Sequence, residues 1–318
     1  MKEYVIGIDI GGTFTKYGFA DREGNIFGEG SSPTDIYDNV EDYLENLVKE
    51  LKGSEKSLEG EYKIVGVGIG APNGNFYNGT IEDAPNLKWK GIIPFAGMIQ
   101  KYYDAPVRLT NDANAAALGE KVYGGGQGID NFIMITLGTG LGSGIIVNGD
   151  LVYGHDGFAG EVGHTNAFEN GRQCGCGNRG CLETYVSAPG IKRTVFELLA
   201  HDSRGSDLAN YSYNEMDSEM IYNAAEKEDP IALKAFDITG KILGRKLADS
   251  VAHTSPKAIF LFGGLAKSGD YILKPTKKYL EEYVMGPFKN KVEIKPSQLM
   301  DKNVAVLGSS SLIWKDLA

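Results

Sequence analysis

The sequence has little of what marks secreted, membrane-spanning or nucleic-acid-binding proteins. Only three of its 318 residues are cysteine, and 32 Lys and Arg are outnumbered by 42 Asp and Glu, which leaves a net charge of −10. Nucleic-acid phosphates require a basic face, so we expect no nucleic-acid partner. No apolar run approaches the roughly 18 residues of a membrane span, and the first residues lack the basic and apolar regions of a signal peptide. We therefore expect a cytoplasmic protein with no membrane partner.

The few cysteines are clustered, and an odd number in one segment argues against a disulfide framework. Cys174, Cys176 and Cys181 follow His164 within 18 residues, with glycines between them. Four such ligands can surround Zn²⁺ tetrahedrally, and the glycines let the backbone fold tightly around the ion. Because protein would fill all four positions, the predicted zinc is structural. The alternative is three free or buried thiols beside an unrelated histidine.

Strand-like and helical segments alternate, which indicates an α/β protein, and the length favours two lobes around one cleft. We predict strands at 5–10, 16–20, 64–69, 107–110, 132–137, 144–147 and 258–262, and helices at 38–52, 113–123, 230–252 and 304–317. Asp38 is expected to cap the first helix and Gly53 to end it. We place a small N-terminal lobe at 1–118, with a C-terminal helix at about 303–318 packing back on it, and a large lobe at 119–302.

Two segments of the chain are similar to each other. Residues 5–13 (VIGIDIGGT) and 132–140 (FIMITLGTG) each form an apolar strand that ends in a turn of glycine and threonine, and they lie 127 residues apart. Two such loops facing each other could offer backbone N–H groups to one polyphosphate. The alternative is a pair of ordinary hairpins, since glycine is common wherever φ is positive.

Other nucleotide motifs do not fit. The sequence contains no P-loop pattern, and its G-x-G-x-x-G match at 175–180 lies among the cysteines instead of between a strand and a helix. We therefore expect ATP at the two similar loops, with the turn after 258–262 as a nucleoside platform or a plain strand-to-helix turn. Asp9 would organise Mg²⁺ through water, and the hydroxyls of Thr13, Thr15, Thr139 and Ser143 would donate to phosphate. The predicted nucleotide-binding residues are Asp9, Gly11, Gly12, Thr13, Thr15, Lys16, Gly138, Thr139, Gly140, Gly263, Gly264 and Leu265.

Three carboxylates are candidates for binding a sugar or for catalysis at one of its hydroxyls. Glu161 and Glu183 flank the metal cluster, which would aim both at one point where they could bind adjacent sugar hydroxyls; the alternative is two solvated surface glutamates. Asp112 follows Asn111 at a strand-to-helix junction. It is a candidate general base for the attacking hydroxyl, with Asn111 orienting neighbouring hydroxyls. Alternatively Asp112 caps the helix, and the two roles could coexist.

These motifs together resemble the ROK family (repressor, open reading frame, kinase) over nearly the whole chain. The resemblance rests on Asp9-Ile-Gly-Gly-Thr, Asn111-Asp-Ala-Asn-Ala, Leu137-Gly-Thr-Gly, Glu161-Val-Gly-His and the cysteine pattern. It implies a two-lobed actin-like ATPase (ribonuclease H-like) fold, with a cleft between the lobes and a structural zinc knuckle. ATP and Mg²⁺ would lie in the cleft and a sugar at its base, in a homodimer or homotetramer. The implied sugar ligands are Gly70, Asn86, Asn111, Asp112, Glu161, His164 and Glu183, with Asp112 as the catalytic base.

The resemblance further implies that His164 uses one ring nitrogen for zinc and the other for a sugar hydroxyl. The expected reaction is transfer of the ATP γ-phosphoryl group to the 6-hydroxyl of glucose. Alternatives are a kinase for fructose, mannose, allose or N-acetylmannosamine, or a sugar-sensing regulator without turnover. Repressors of the family carry an added N-terminal DNA-binding domain, and with a phosphate loop starting at residue 9 we expect none here. Asn73 stands where many glucokinases of the family have glycine, which leaves the hexose open.

Overall fold

The computed structural model describes residues 1–300 and 302–317, and within these residues we number 13 strands and eight helices. The strands are β1 (Lys2–Ile10), β2 (Phe14–Ala20), β3 (Ile26–Pro33), β4 (Tyr62–Gly70), β5 (Gly74–Asn75), β6 (Thr80–Glu82), β7 (Ile92–Ile93), β8 (Val107–Thr110), β9 (Phe132–Leu137), β10 (Leu141–Val147), β11 (Asp150–Leu151), β12 (Ala258–Phe262) and β13 (Glu293–Pro296). The helices are α1 (Val40–Glu55), α2 (Phe95–Gln100), α3 (Asp112–Tyr123), α4 (Ala188–His201), α5 (Ser218–Glu226), α6 (Pro230–Thr254), α7 (Asp270–Tyr283) and α8 (Val304–Asp316). None of the described helices is long and apolar enough to cross a bilayer.

Two five-stranded sheets share one topology. Their strand orders are β3-β2-β1-β4-β8 and β11-β10-β9-β12-β13. In the first sheet β1 pairs antiparallel with β2 and parallel with β4. In the second sheet β9 pairs antiparallel with β10 and parallel with β12. Strands β1 and β9 are thus equivalent, and they are the two segments whose sequences are similar. The internal similarity corresponds to a repeated unit of structure, and the α/β expectation is confirmed.

The central strands are apolar along their length because both faces of each sheet are covered. In β9 the side chains from Phe132 to Ile135 are all fully buried, and α4, α6 and α7 contribute to the core on one side. The first sheet buries Ile6 and Ile8 against Leu47 and Leu51 of α1. Each sheet therefore has its own apolar core, from which the ends of β1 and β9 emerge.

Helix α1 departs from the prediction at both ends. Asn39, and not Asp38, is its N-cap: the Asn39 side chain accepts the backbone N–H groups of Glu41 at 2.7 Å and Asp42 at 3.4 Å. The helix also continues through Gly53 to Glu55. An isolated glycine costs a helix only about 1 kcal/mol, which the buried face of α1 can offset, so Gly53 does not end it.

The last helix packs on the first sheet. Helix α8 contacts β1, β2 and β4, and also α3. Two glycines permit this close packing, because a Cβ atom at Gly7 or Gly68 would overlap the backbone carbonyl of Val306 or Ser309. The division into lobes at residues 118 and 119 stays a prediction.

A small three-stranded sheet, β5-β6-β7, follows Pro72 and lies beside the end of β8. A Cβ atom at Gly74 would overlap the carbonyl of Thr110, the last residue of β8. The small sheet is therefore fixed directly next to the Asn111–Asp112 junction.

Candidate active site

A cavity of about 640 Å³ lies where the carboxyl ends of the two sheets meet. Its walls come from β1 and β2, the first turn of α3, β9, the turn after β12 and the start of α8. The polar and glycine lining residues are Asp9, Lys16, Asp112, Thr136, Gly263, Gly264, Lys267, Lys302 and Asn303. Residues predicted for nucleotide binding and for catalysis therefore share one cleft.

The first phosphate loop is a tight turn between β1 and β2. The backbone N–H of Gly11 donates to the carbonyl of Phe14 at 3.0 Å, and Asp9 lies opposite Lys16 in the strand register. A Cβ atom at Gly12 would lie 2.9 Å from the carbonyl oxygen of Asn86. Glycine at position 12 is therefore needed for close approach, and Asn86 lies against the first phosphate loop.

The second loop lies at the equivalent place between β9 and β10, where the N–H of Gly138 donates to the carbonyl of Gly140 at 3.0 Å. Thr139 at its tip is exposed, as is Thr13 in the first loop. Gly263, with φ of +104°, opens the third glycine turn after β12, and Gly264 and Leu265 follow it into a 3-10 turn. Leu265 is fully buried and, unlike Gly263 and Gly264, does not line the cavity, which corrects its prediction as a nucleotide-binding residue.

Two predicted phosphate donors are not available to a ligand. The hydroxyl of Thr15 is fully buried, 2.9 Å from the hydroxyl of Thr34 and 2.6 Å from that of Tyr43. The buried hydroxyl of Ser143 donates to the carbonyl of Gly160. Successive side chains of a strand point to opposite faces, so Thr15 points inward while Lys16 reaches the cleft. This corrects the prediction for both hydroxyls.

Asn111, and not Asp112, caps helix α3. The side-chain oxygen of Asn111 accepts the N–H of Asn114 at 2.8 Å, and Asp112 is the first helical residue. The carboxylate of Asp112 opens into the cleft and accepts its neighbour's N–H, that of Ala113, at 2.9 Å. The structure therefore does not support the alternative in which Asp112 serves as the cap.

The floor of the cleft holds two carboxylates whose pKa values are raised. Burial raises the pKa of Asp9 to about 7; the nearby charge of Asp112 adds to the shift and Lys16 opposes it. Burial also raises the pKa of Asp112, which the N–H of Ala113 partly offsets. Although the side chain of Asp112 is open to solvent in the cleft, protein surrounds it on the other sides, which explains this direction. A pKa raised in this way suits a general base.

Three of the predicted sugar ligands meet beside Asp112. The side-chain nitrogen of Asn111 lies 3.5 Å from Oε1 of Glu161, and Nε2 of His164 lies 4.0 Å from Oε2 of Glu161. Burial raises the pKa of Glu161, His164 lowers it, and the charges of Asp112 and Glu183 raise it further. An amide, a carboxylate and an imidazole around one point form a set that can bind adjacent hydroxyls.

Glu183 is not a solvated surface glutamate. Its Oε2 accepts the N–H of Leu141 at 3.0 Å, and its Oε1 lies 3.6 Å from Sγ of Cys174. It thus joins the cysteine segment to the second phosphate loop. Gly70, at the end of β4, lies directly against Asp9: a Cβ atom at Gly70 would be 3.1 Å from Oδ1 of Asp9.

The four predicted zinc ligands form one cluster. One ligand atom from each of His164, Cys174, Cys176 and Cys181 lies within 4.8 Å of all the others. The Nδ1 of His164 is 3.7 Å from Sγ of Cys174, and the sulfurs of Cys176 and Cys181 are also 3.7 Å apart. Ligands about 2.3 Å from a tetrahedral zinc are about 3.8 Å apart, so the donor set fits that ion. Nδ1 faces Sγ of Cys174 while Nε2 faces Glu161, and the division of the two ring nitrogens between zinc and a sugar hydroxyl stays a prediction.

Four further polar residues of the cleft were missed by the sequence reasoning. Thr136, Lys267, Lys302 and Asn303 all line the cavity. Lys267 follows the third glycine turn, and a basic residue there is a signal that could have been used. Lys302 and Asn303 precede α8, which Asn303 caps by accepting the N–H of Val306 at 3.3 Å. Nothing in the sequence showed that the start of this helix would reach the cleft.

Two sheets of the same topology, with glycine loops at their facing ends, define the actin-like ATPase fold. The model of the ROK family matches residues 5–316, and the chain belongs to this family. The crystal structure of a ROK family glucokinase from Streptomyces griseus, in complex with glucose and AMPPNP, superposes with a TM-score of 0.82 at 31% identity, covering 98% of this chain and 99% of that chain.

Relatives in sequence include both kinases and regulators. A glucokinase of Halalkalibacterium halodurans is 33% identical over 317 residues, which cover 98% of this chain and 94% of the relative. A xylose repressor of Bacillus subtilis is 31% identical over 316 residues, which cover 98% of this chain and 77% of the repressor. The family is therefore established, and its members similar to this chain include glucokinases and xylose repressors.

Proposed function

We propose that this protein is an ATP-dependent hexokinase that transfers the γ-phosphoryl group of ATP to the 6-hydroxyl of glucose. The observation that carries the proposal is the position of Asp112. Its carboxylate is free of the helix cap, and it shares the cleft with Asp9 and Lys16 on one side and faces Glu161 on the other. A protein that only binds a sugar has no need of such a carboxylate.

In the proposed reaction Asp112 accepts the proton of the sugar 6-hydroxyl. The hydroxyl oxygen forms a bond to the γ-phosphorus, the bond from that phosphorus to the β–γ bridging oxygen breaks, and ADP leaves. Phosphoryl transfer depends mostly on positioning and charge stabilisation. Backbone N–H groups of the two phosphate loops would bind the phosphates, together with Lys16. Glu161, His164 and Asn111 would orient the sugar.

Two metal ions belong to the proposal. Mg²⁺, when bound, neutralises phosphate charge, and Asp9 is the cleft carboxylate that would organise it, through water. Zinc would be held by His164 and the three cysteines, and would fix the ring of His164 so that Nε2 faces the sugar. The predicted protein is cytoplasmic and forms a homodimer or homotetramer. Light scattering would measure its oligomeric state.

The second candidate is a sugar-sensing regulator, which the similarity to a xylose repressor favours. The two candidates differ in turnover. A coupled assay of ADP release from Mg-ATP, run with glucose, fructose, mannose, allose, xylose and N-acetylmannosamine, separates them. We expect selective turnover of glucose. Turnover of another hexose would correct the substrate, and sugar binding by calorimetry without ADP release would favour the regulator.

A further inference from the structure

A short hairpin next to the site holds a loop from the other sheet. Phe76 stacks on Tyr153 with ring centroids 4.0 Å apart and planes inclined by 10°. The hydroxyl of Tyr77 donates to the carbonyl of Gly154 at 2.8 Å, and the side-chain amide of Asn75 donates to the carbonyl of Asp156 at 2.8 Å. We call residues 75–77 together with 153–157 the clasp.

The clasp joins the two segments that carry the proposed sugar ligands. On one side β5 lies against the carbonyl of Thr110, which also accepts the N–H of Ala71 at 2.9 Å, directly before Asn111. On the other side the loop of the clasp continues through Gly160 to Glu161. Gly160 is bound to β10 through the hydroxyl of Ser143, which also accepts the N–H of Val162 at 3.2 Å. Strand β10 itself packs on α3, where a Cβ atom at Gly142 or Gly144 would meet Ala113 or Ala117. The clasp is a second connection, and it joins the segment of Glu161 to the segment that ends at Asn111.

The chemistry of Asn75 supports this reading. Its side chain is 2% exposed, and its oxygen accepts the N–H groups of Tyr77 at 3.0 Å and Asn78 at 3.3 Å within the hairpin. An ionised aspartate could also accept these bonds but has no proton to donate to Asp156, whereas an amide accepts through its oxygen and donates through its nitrogen. Gly157, with φ of +92°, leaves room for the amide, since a Cβ atom there would lie 2.8 Å from Oδ1 of Asn75.

We propose that Asn75 and Tyr77 are positioning residues of the sugar pocket, which hold the segment that carries Glu161 and His164 against Asn111 and Asp112. This inference rests on the proposed function in so far as the cleft binds a sugar. Neither residue touches the reacting atoms, so their effect should fall on sugar binding and leave nucleotide binding unchanged.

Tyr77→Phe is the mildest test, because the ring is 56% exposed and loses only its hydroxyl. One hydrogen bond contributes about 0.5–1.5 kcal/mol, so we expect the KM for sugar to rise about 2- to 10-fold while the KM for ATP stays constant. Asn75→Asp keeps the acceptor for the hairpin but loses the donor to Asp156, and we expect a rise of more than about 10-fold. Tyr211→Phe, at another exposed tyrosine, is the matched control.

Hydrogen–deuterium exchange of residues 153–164 gives a readout that needs no sugar. We expect faster exchange there in Tyr77→Phe than in wild type or Tyr211→Phe. Unchanged exchange overturns the inference, as does faster exchange with an unchanged sugar KM, or a KM for ATP that rises as much as that for sugar. If wild type neither binds nor phosphorylates any sugar, the proposed function fails, and the exchange result alone decides whether the clasp holds the Glu161 segment.

Discussion

Replacing Asp112 with asparagine removes the proposed proton acceptor and little else. Asparagine has the same shape, and its side-chain oxygen can still accept the N–H of Ala113, which lies 2.9 Å from the carboxylate. The helix cap is untouched because Asn111 supplies it. Loss of a negative charge beside Asp9 also removes a repulsion. We therefore expect Asp112→Asn to fold at least as stably as wild type.

The expected loss is in turnover. A positioned general base contributes about 10²–10⁴-fold to rate, which corresponds to about 2.7–5.4 kcal/mol of transition-state stabilisation. An uncharged amide cannot take the proton of the hydroxyl, so kcat should fall by at least this lower factor. Sugar affinity should change little, because Asn111, Glu161 and His164 keep their places. The ADP-release assay gives kcat, and calorimetry with sugar alone gives the affinity.

The control is Asn114→Asp, since Asn114 is a buried residue of the same helix whose amide donates to Thr110 at 3.3 Å. That change should lower stability, which separates damage to α3 from loss of the base. Near-normal kcat in folded Asp112→Asn would refute the assignment of Asp112. If kcat fell and sugar affinity fell by the same factor, Asp112 would be a sugar ligand and not the general base.

Three further predictions concern other parts of the site. Cys176→Ser, or chelation of zinc, should lower the stability by on the order of 3 kcal/mol and raise the KM for sugar; an unchanged melting temperature after verified zinc loss would contradict this. Because the folded pKa of Asp9 is about 7 against an ordinary 3.8, the folded state holds more protons between these values, so without Mg²⁺ the stability should fall as pH rises from about 4 to 7. Urea midpoints across that range should fall less in Asp9→Asn. Buried Glu120 accepts the hydroxyl of Ser297 at 2.5 Å and the N–H of Gly125 at 2.8 Å, so Glu120→Ala should cost about 3 kcal/mol or more in denaturant unfolding, and Glu120→Gln less.

Local patterns predicted much of the architecture. The apolar runs before Gly11 and Gly138 are buried strands, and their similarity reflects equivalent places in two sheets of the same topology. The cysteine spacing predicted a cluster whose atoms do meet, because few residues separate the ligands and little else is needed to bring them together. Buried strands and a compact cysteine cluster depend on residues that are close together in the sequence, so the sequence pattern is enough to predict them.

The errors came where side-chain direction or distant packing decides. Thr15 looked like a phosphate donor, but strand alternation turns it towards Tyr43, and the sequence gives no sign of that partner 28 residues away. Asn39 caps α1 where Asp38 was predicted, and Asn111 caps α3 where Asp112 was one of two alternatives. A shift of one residue changes which side-chain oxygen reaches the free N–H groups of the helix. Lys302 enters the cleft only because α8 returns to the first sheet.

Glu183 connects the cysteine segment to the second glycine loop. This carboxylate touches the ligand Cys174 at one oxygen and the N–H of Leu141 at the other, and Leu141 begins the return strand of the second loop. We therefore expect a shift of the cysteines to move both the ring of His164 and the turn at Gly138–Gly140. A structural zinc bound here would fix the position of the proposed sugar ligands relative to the second phosphate loop. Loss of zinc should for this reason raise the KM values for sugar and ATP together, whereas loss of the clasp should raise that for sugar alone.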